Sequence, residues 1–137
     1  MRSILFGGLA LMMGTFAWGA AWQPLPLDAV RAGGEIGRRV DATIANNVLA
    51  MDVDKDFLAP FQKRTAKSGF IGLGMLIDSL VRFAAYAGDV PVTALKDHVI
   101  AEAIATQEAD GYLGIMVPEK RFWTLWDLHE MCYLVQG

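Results

Sequence analysis

Ile71-Gly72-Leu73-Gly74-Met75-Leu76-Ile77-Asp78-Ser79-Leu80-Val81-Arg82-Phe83-Ala84-Ala85-Tyr86-Ala87 is followed at once by Gly88-Asp89 and Val90-Pro91-Val92-Thr93. Met75, Leu76, Leu80, Val81, Phe83, Ala84 and Ala87 leave this run almost no polar face, which predicts a helix from about Ile71 to Ala87 buried on most sides. Its charges, Asp78 and Arg82, stand four apart with the acid first, the favourable order for an intrahelical pair. Gly88-Asp89 ends it. Pro91 and Thr93 then start another helix, to about Gln107, with Leu95, Val99, Ala103 and Ile104 on one face and Lys96, Asp97 and Glu102 elsewhere. A buried helix joined by a short turn to an amphipathic one is an αα-hairpin. No segment shows sustained period-two alternation, so the expected class is all-α.

Working outward, Val40, Ile44, Val48 and Met51 recur at helical steps and predict a helix over Gly37 to Met51. Asp52 to Ala66 reads as a loop with a short turn, stopped by Pro60. Trp22-Gln23-Pro24-Leu25-Pro26-Leu27 reads as an extended linker. A glycine-containing loop from Asp110 to Trp123 precedes a last helix, from about Leu125, which is still running at Gly137 without a capping signal. The expectation from this ending is a truncated domain.

With 137 residues, 54% hydrophobic and 20% charged, the chain is one domain's worth at most and can bury a core. A net charge of −3 without an evident Lys/Arg cluster argues against nucleic acid as a partner. The one cysteine, Cys132, excludes an internal disulfide framework and a multi-cysteine metal site, and in a helix such a residue is usually inert. Met1-Arg2, the apolar run Ile4 to Phe16 and the small residues around Ala17-Trp18-Gly19-Ala20-Ala21 read as an export signal over residues 1–21. The run is short for a membrane-spanning helix, which needs about 20 apolar residues. Residues 22–137 are then the mature chain, secreted or periplasmic and without a stable membrane span. Losing Arg2 takes the net charge from −3 to −4.

Chemistry concentrates in Asp110-Gly111-Tyr112-Leu113-Gly114 and in Leu125-Trp126-Asp127-Leu128-His129-Glu130-Met131. Asp110-Gly111 predicts a turn, the aspartate bonding backbone and the glycine at positive φ, with Tyr112 packing the loop. On the last helix Trp126, His129, Glu130 and Tyr133 fall at steps of three and four and share a face. Trp126 then offers a stacking platform for a sugar, with His129 and Glu130 as hydroxyl partners. The alternative is a face whose aromatics fill the core. His129-Glu130 is no zinc-protease motif, because the position of the second histidine holds Tyr133. Gly72-Leu73-Gly74 is no phosphate loop, since no Lys-Ser/Thr follows it. Glu108, Asp110, Glu119, Asp127 and Glu130 supply carboxylates of the kind glycoside cleavage uses, but sequence sets no separation between any two. No catalytic residue and no metal ligand is therefore assigned.

Four blocks in order carry a family resemblance: Gly34-Glu35-Ile36-Gly37-Arg38-Arg39-Val40-Asp41; Gly74-Met75-Leu76-Ile77-Asp78 through Gly88-Asp89; Ala105-Thr106-Gln107-Glu108-Ala109-Asp110-Gly111-Tyr112-Leu113-Gly114; and Leu125-Trp126-Asp127-Leu128-His129-Glu130-Met131. On these the chain resembles the N-terminal part of glycoside hydrolase family 127, the β-L-arabinofuranosidases. The resemblance implies the N-terminal part of an (α/α)6 toroid of alternating inner and outer helices, a carbohydrate substrate of plant type, and a histidine at His129 facing the sugar. It also implies a cysteine nucleophile at a zinc site of three cysteines and a glutamate, all beyond residue 137. The chain as given is then expected to be inactive and to hold no zinc of its own. It departs from many members at Met75-Leu76, where they carry Lys-Trp, which bears on substrate specificity. Two other readings stand beside it: a small exported helical binding protein, and part of another toroidal carbohydrate enzyme, a lyase or uronyl hydrolase.

Overall fold

The computed structural model of the chain describes residues 23–122 and 124–137; the expected export signal over 1–21 lies outside them. Five α-helices are found there: α1 Gly34–Asn46, α2 Ala59–Lys63, α3 Leu73–Ala87, α4 Val90–Ala105 and α5 Leu125–Gln136. Among the described residues there is no strand, only an isolated parallel bridge between Ala66 and Met116. The all-α class is as expected. No helix in this set is long and apolar enough to cross a membrane.

α3 and α4 form the hairpin. Gly88, left-handed at φ 63°, closes α3 and donates to the Ala84 carbonyl at 2.9 Å, and Asp89 caps α4 by accepting from the Val92 amide at 3.3 Å. Leu73, Leu76, Ile77 and Leu80 of α3 pack with Val99 and Ala103 of α4 in the main core. Ile104, expected on the buried face of α4, is 62% exposed; Val92 takes its place in the interior. α3 is also more open than its composition suggests, because Met75, Asp78, Ser79 and Arg82 line one uncovered side.

α5 lies along α3 in the same direction. Glu130 meets residues 71 to 73, Tyr133 and Leu134 meet Gly74, and Gly137 meets Gly74, Ile77 and Asp78. The two helices approach so closely at Gly74 that a side-chain carbon there would collide with the Tyr133 and Leu134 backbone. α4, antiparallel to both, covers α3 from the other side.

Two segments differ from expectation. α1 begins at Gly34, earlier than Gly37, and ends at Asn46; Val48–Ala50 continues as a 3-10 turn because the Asn47 carbonyl accepts from both Ala50 and Met51. Ile44 and Val48 are buried, so the predicted face survives the break. The stretch after Asp52 is not a loop. Asp54–Leu58 makes a π-helical turn leading into α2, and Pro60 is accommodated at the second position of α2, directly after that turn. This short piece drives Leu58 and Phe61 fully into the core. The N-terminal linker is pinned to the end of α3 by Arg31, which donates to the Ala87 carbonyl and lies 5.2 Å from the Tyr86 ring centroid.

A Gly74→Ala substitution separates two effects of opposite sign. Helix propensity favours alanine by about 1 kcal/mol, whereas a clash against backbone costs about 1–3 kcal/mol. Because neither backbone can yield like a flexible side chain, the expected net result is destabilisation by about 1–2 kcal/mol. Urea denaturation checks it, and an unchanged or higher midpoint refutes the close crossing.

Candidate functional site

Thr124-Leu125-Trp126-Asp127 starts α5. The Thr124 hydroxyl accepts from the Asp127 amide at 3.3 Å, which sets the rotational phase of every later residue of the helix. Asp127 (1% exposed) points inward: its carboxylate accepts from the Tyr112 hydroxyl at 2.7 Å and from the Phe122 amide at 2.7 Å. Tyr112 is buried, and its hydroxyl accepts in turn from the Met116 amide at 3.1 Å. Burial, with the Asp127 carboxylate beside it, pushes the Tyr112 phenol up to about 12. Arg121 lies 3.9 Å from the Tyr112 ring centroid and pairs with Glu108 at 2.6 Å. Asp110-Gly111 forms the expected turn, with Asp110 accepting from the Tyr112 amide at 3.0 Å and Gly111 at φ 90°. The acids near this loop thus hold structure together.

Glu130 (1% exposed) is equally committed. Its carboxylate accepts from the amides of Ile71 at 2.5 Å, Gly72 at 3.0 Å and Leu73 at 2.8 Å, the first donors of α3. Four N–H groups at a helix start lack intrahelical partners, and the helix dipole places positive charge there, so a carboxylate from another helix satisfies both. Glu130 is therefore turned into the protein, away from the face expected to meet a sugar hydroxyl.

Trp126 and His129 do share an open face, and the fold adds Phe70 and Tyr133 to it. Phe70 stacks on Trp126 with centroids 5.2 Å apart and planes 9° from parallel. His129 stands edge-on to Phe70 at 4.8 Å, to Trp126 at 5.9 Å and to Tyr133 at 4.8 Å. Trp126 is 41% and Phe70 37% exposed, so the rings form a surface ladder and not a sealed core. Beyond Tyr133 the ladder opens into a cleft of about 360 Å³ lined by Gly74, Met75, Asp78, Ser79, Arg82 and Gln136. There Arg82 grips Asp78 through two contacts of 2.9 Å and holds that carboxyl below its ordinary range. Phe70 also borders a second cleft, of about 290 Å³, with Lys55, Lys63, Thr65 and Ser68 on its walls. Phe70 was not among the residues singled out from sequence; it lies 56 positions before Trp126, and no local pattern links them.

Among the described residues no three His, Cys, Asp or Glu side chains converge to hold a metal ion. Cys132, which as a lone helical cysteine is expected to be an inert buried residue, is instead exposed on α5, because it falls on the side of the helix turned away from α3. No protein-family model matches the chain, and no curated protein or solved structure is significantly similar to it.

Glu130→Ala strands buried amides at the start of α3 and is expected to cost about 3–5 kcal/mol, read as a shifted denaturation midpoint with unchanged slope. A loss below about 1 kcal/mol would show the cap to be dispensable. Tyr112 gives a pH signature. Its pKa stands at about 12 when folded against an ordinary 10.0, so its stabilisation is complete below pH 10 and is lost as pH climbs through about 12. Tyr112→Phe should lack this component of alkaline destabilisation, measured by circular dichroism from pH 9 to about 12.

Proposed function

We propose that this chain is the sugar-contacting, helical part of an exported glycoside hydrolase similar to family 127, with Trp126 as the stacking platform and His129 as a hydroxyl partner. The observation that carries the reading is the ladder of Phe70, Trp126, His129 and Tyr133, exposed at Phe70 and Trp126 and half-buried at His129 and Tyr133. Flat rings open to solvent beside clefts lined with hydroxyl and amide groups suit a saccharide, whose C–H faces stack while its hydroxyls seek polar partners. Glu130 drops out of the contact set because it caps α3.

The helix arrangement supports the toroidal part of the reading. α3 and α5 lie side by side in one direction and α4 returns between them in sequence, which is how successive inner helices relate when outer helices connect them. Of Met75-Leu76, where the resemblance bears on specificity, Met75 lines the 360 Å³ cleft and Leu76 is buried in the core. The catalytic step belongs to groups outside these residues, so binding and not turnover is the property assigned to the chain.

A second reading, a helical module that docks a protein partner, draws on a different face of α5. Leu125 (74% exposed), Leu128, Cys132 and Val135 (89% exposed) recur at steps of three, four and three. A barrel's further helices or a separate partner would both cover such a stripe. The open ladder supports the sugar reading.

The test is ligand-detected NMR with arabino-oligosaccharides and the full chain. Trp126→Ala is expected to weaken binding about tenfold, or about 1.4 kcal/mol, and to cost about 0.5–1.5 kcal/mol of stability from the lost stacking on Phe70, leaving the chain folded. Equal binding by the variant, or no binding by the parent chain, overturns the reading.

A further inference from the structure

The two clefts flanking the aromatic ladder differ in charge, and the difference is legible residue by residue. In the cleft beyond Tyr133 the one cation, Arg82, is neutralised by Asp78. In the cleft beyond Phe70 the charged lining is Lys55 and Lys63, and no carboxylate lines it. Among the described residues neither lysine forms an ion pair, although Arg64, next in sequence to Lys63, pairs with Glu108. Two lysines without an ion-pair partner on its lining make this the more cationic of the two clefts, in a protein whose net charge is −3.

The remaining walls suit a sugar. Ala59, Pro60, Phe70 and Ile71 give it apolar surface. Thr65 and Ser68 bring hydroxyls that both donate and accept. Phe70 lines the cleft and also stacks on Trp126, so the cleft adjoins the ladder.

From this juxtaposition we propose that the cleft of Lys55, Lys63, Thr65 and Ser68 is a subsite for an acidic sugar unit, its carboxylate held by the two lysines while the adjoining unit stacks on Phe70 and Trp126. The inference rests on the sugar-binding reading above and adds the charge of one unit. Lysine is suited to this role, since a mobile point charge accepts a carboxylate in several orientations.

The experiment compares trigalacturonate with its neutral methyl ester, titrated calorimetrically into the full chain at low and high salt. Trigalacturonate should bind about tenfold more tightly at low salt, the scale of two partly exposed ion pairs, and lose that advantage at high salt. Lys55→Met with Lys63→Met should bring the acid down to the affinity of the ester and leave the ester unaffected. Equal affinities for acid and ester, both abolished by Trp126→Ala, overturn the acidic subsite and leave the sugar-binding reading standing. Binding of neither probe overturns both. A preference that survives the double lysine substitution, or an oligonucleotide of equal charge binding as tightly as trigalacturonate, also overturns the subsite.

Discussion

The carboxylate of Glu130 on the first amides of α3 is the contact on which the rest of the structure hangs. α3 is the most apolar helix in the described chain, and Gly72, its N-cap, has no side chain with which to satisfy the helix start. The missing acceptor comes from α5, 57 to 59 residues away. Once it is in place, the register between α3 and α5 is set, and Gly74 lets the two backbones close to a distance that any side chain would prevent. Core packing against α4 follows from a position of α3 that Glu130 and Gly74 together determine.

The same register explains why one face of α5 is available for binding. With Glu130 and Asp127 both turned inward and held by backbone amides, Trp126, His129 and Tyr133 rotate outward at helical spacing. Phe70, just before the capped amides, is then presented to Trp126. The structural acids and the rings occupy adjoining sectors of one helix. The buried Tyr112–Asp127 pair and the Arg121–Glu108 pair fix the preceding loop in a comparable way, so α5 enters from a rigid base.

Much of the helical layout was legible from residue pattern. The α3–α4 hairpin, the Asp110-Gly111 turn and the start of α5 near Leu125 all follow from local signals, periodicity and turn glycines above all. The segment after Asp52 was not legible, because Pro60 reads as a stop unless one knows that a π turn precedes it and places it in a helix's first turn. Ile104 misled for a related reason: α4 carries apolar residues nearly all round, so its inward side is decided by what α3 and α1 present to it.

Sequence alone determined that the chain is helical, where its main turns fall, and that Trp126 and His129 lie on one face of α5, since these depend on interactions within a few residues. Tertiary structure decided that Glu130 is a cap and not a ligand group, that Phe70 completes the ladder, and that Lys55 and Lys63 share a cleft. Those outcomes depend on which distant donor or ring meets a side chain. Helical periodicity gives a residue's direction around its own axis, but not what stands in that direction.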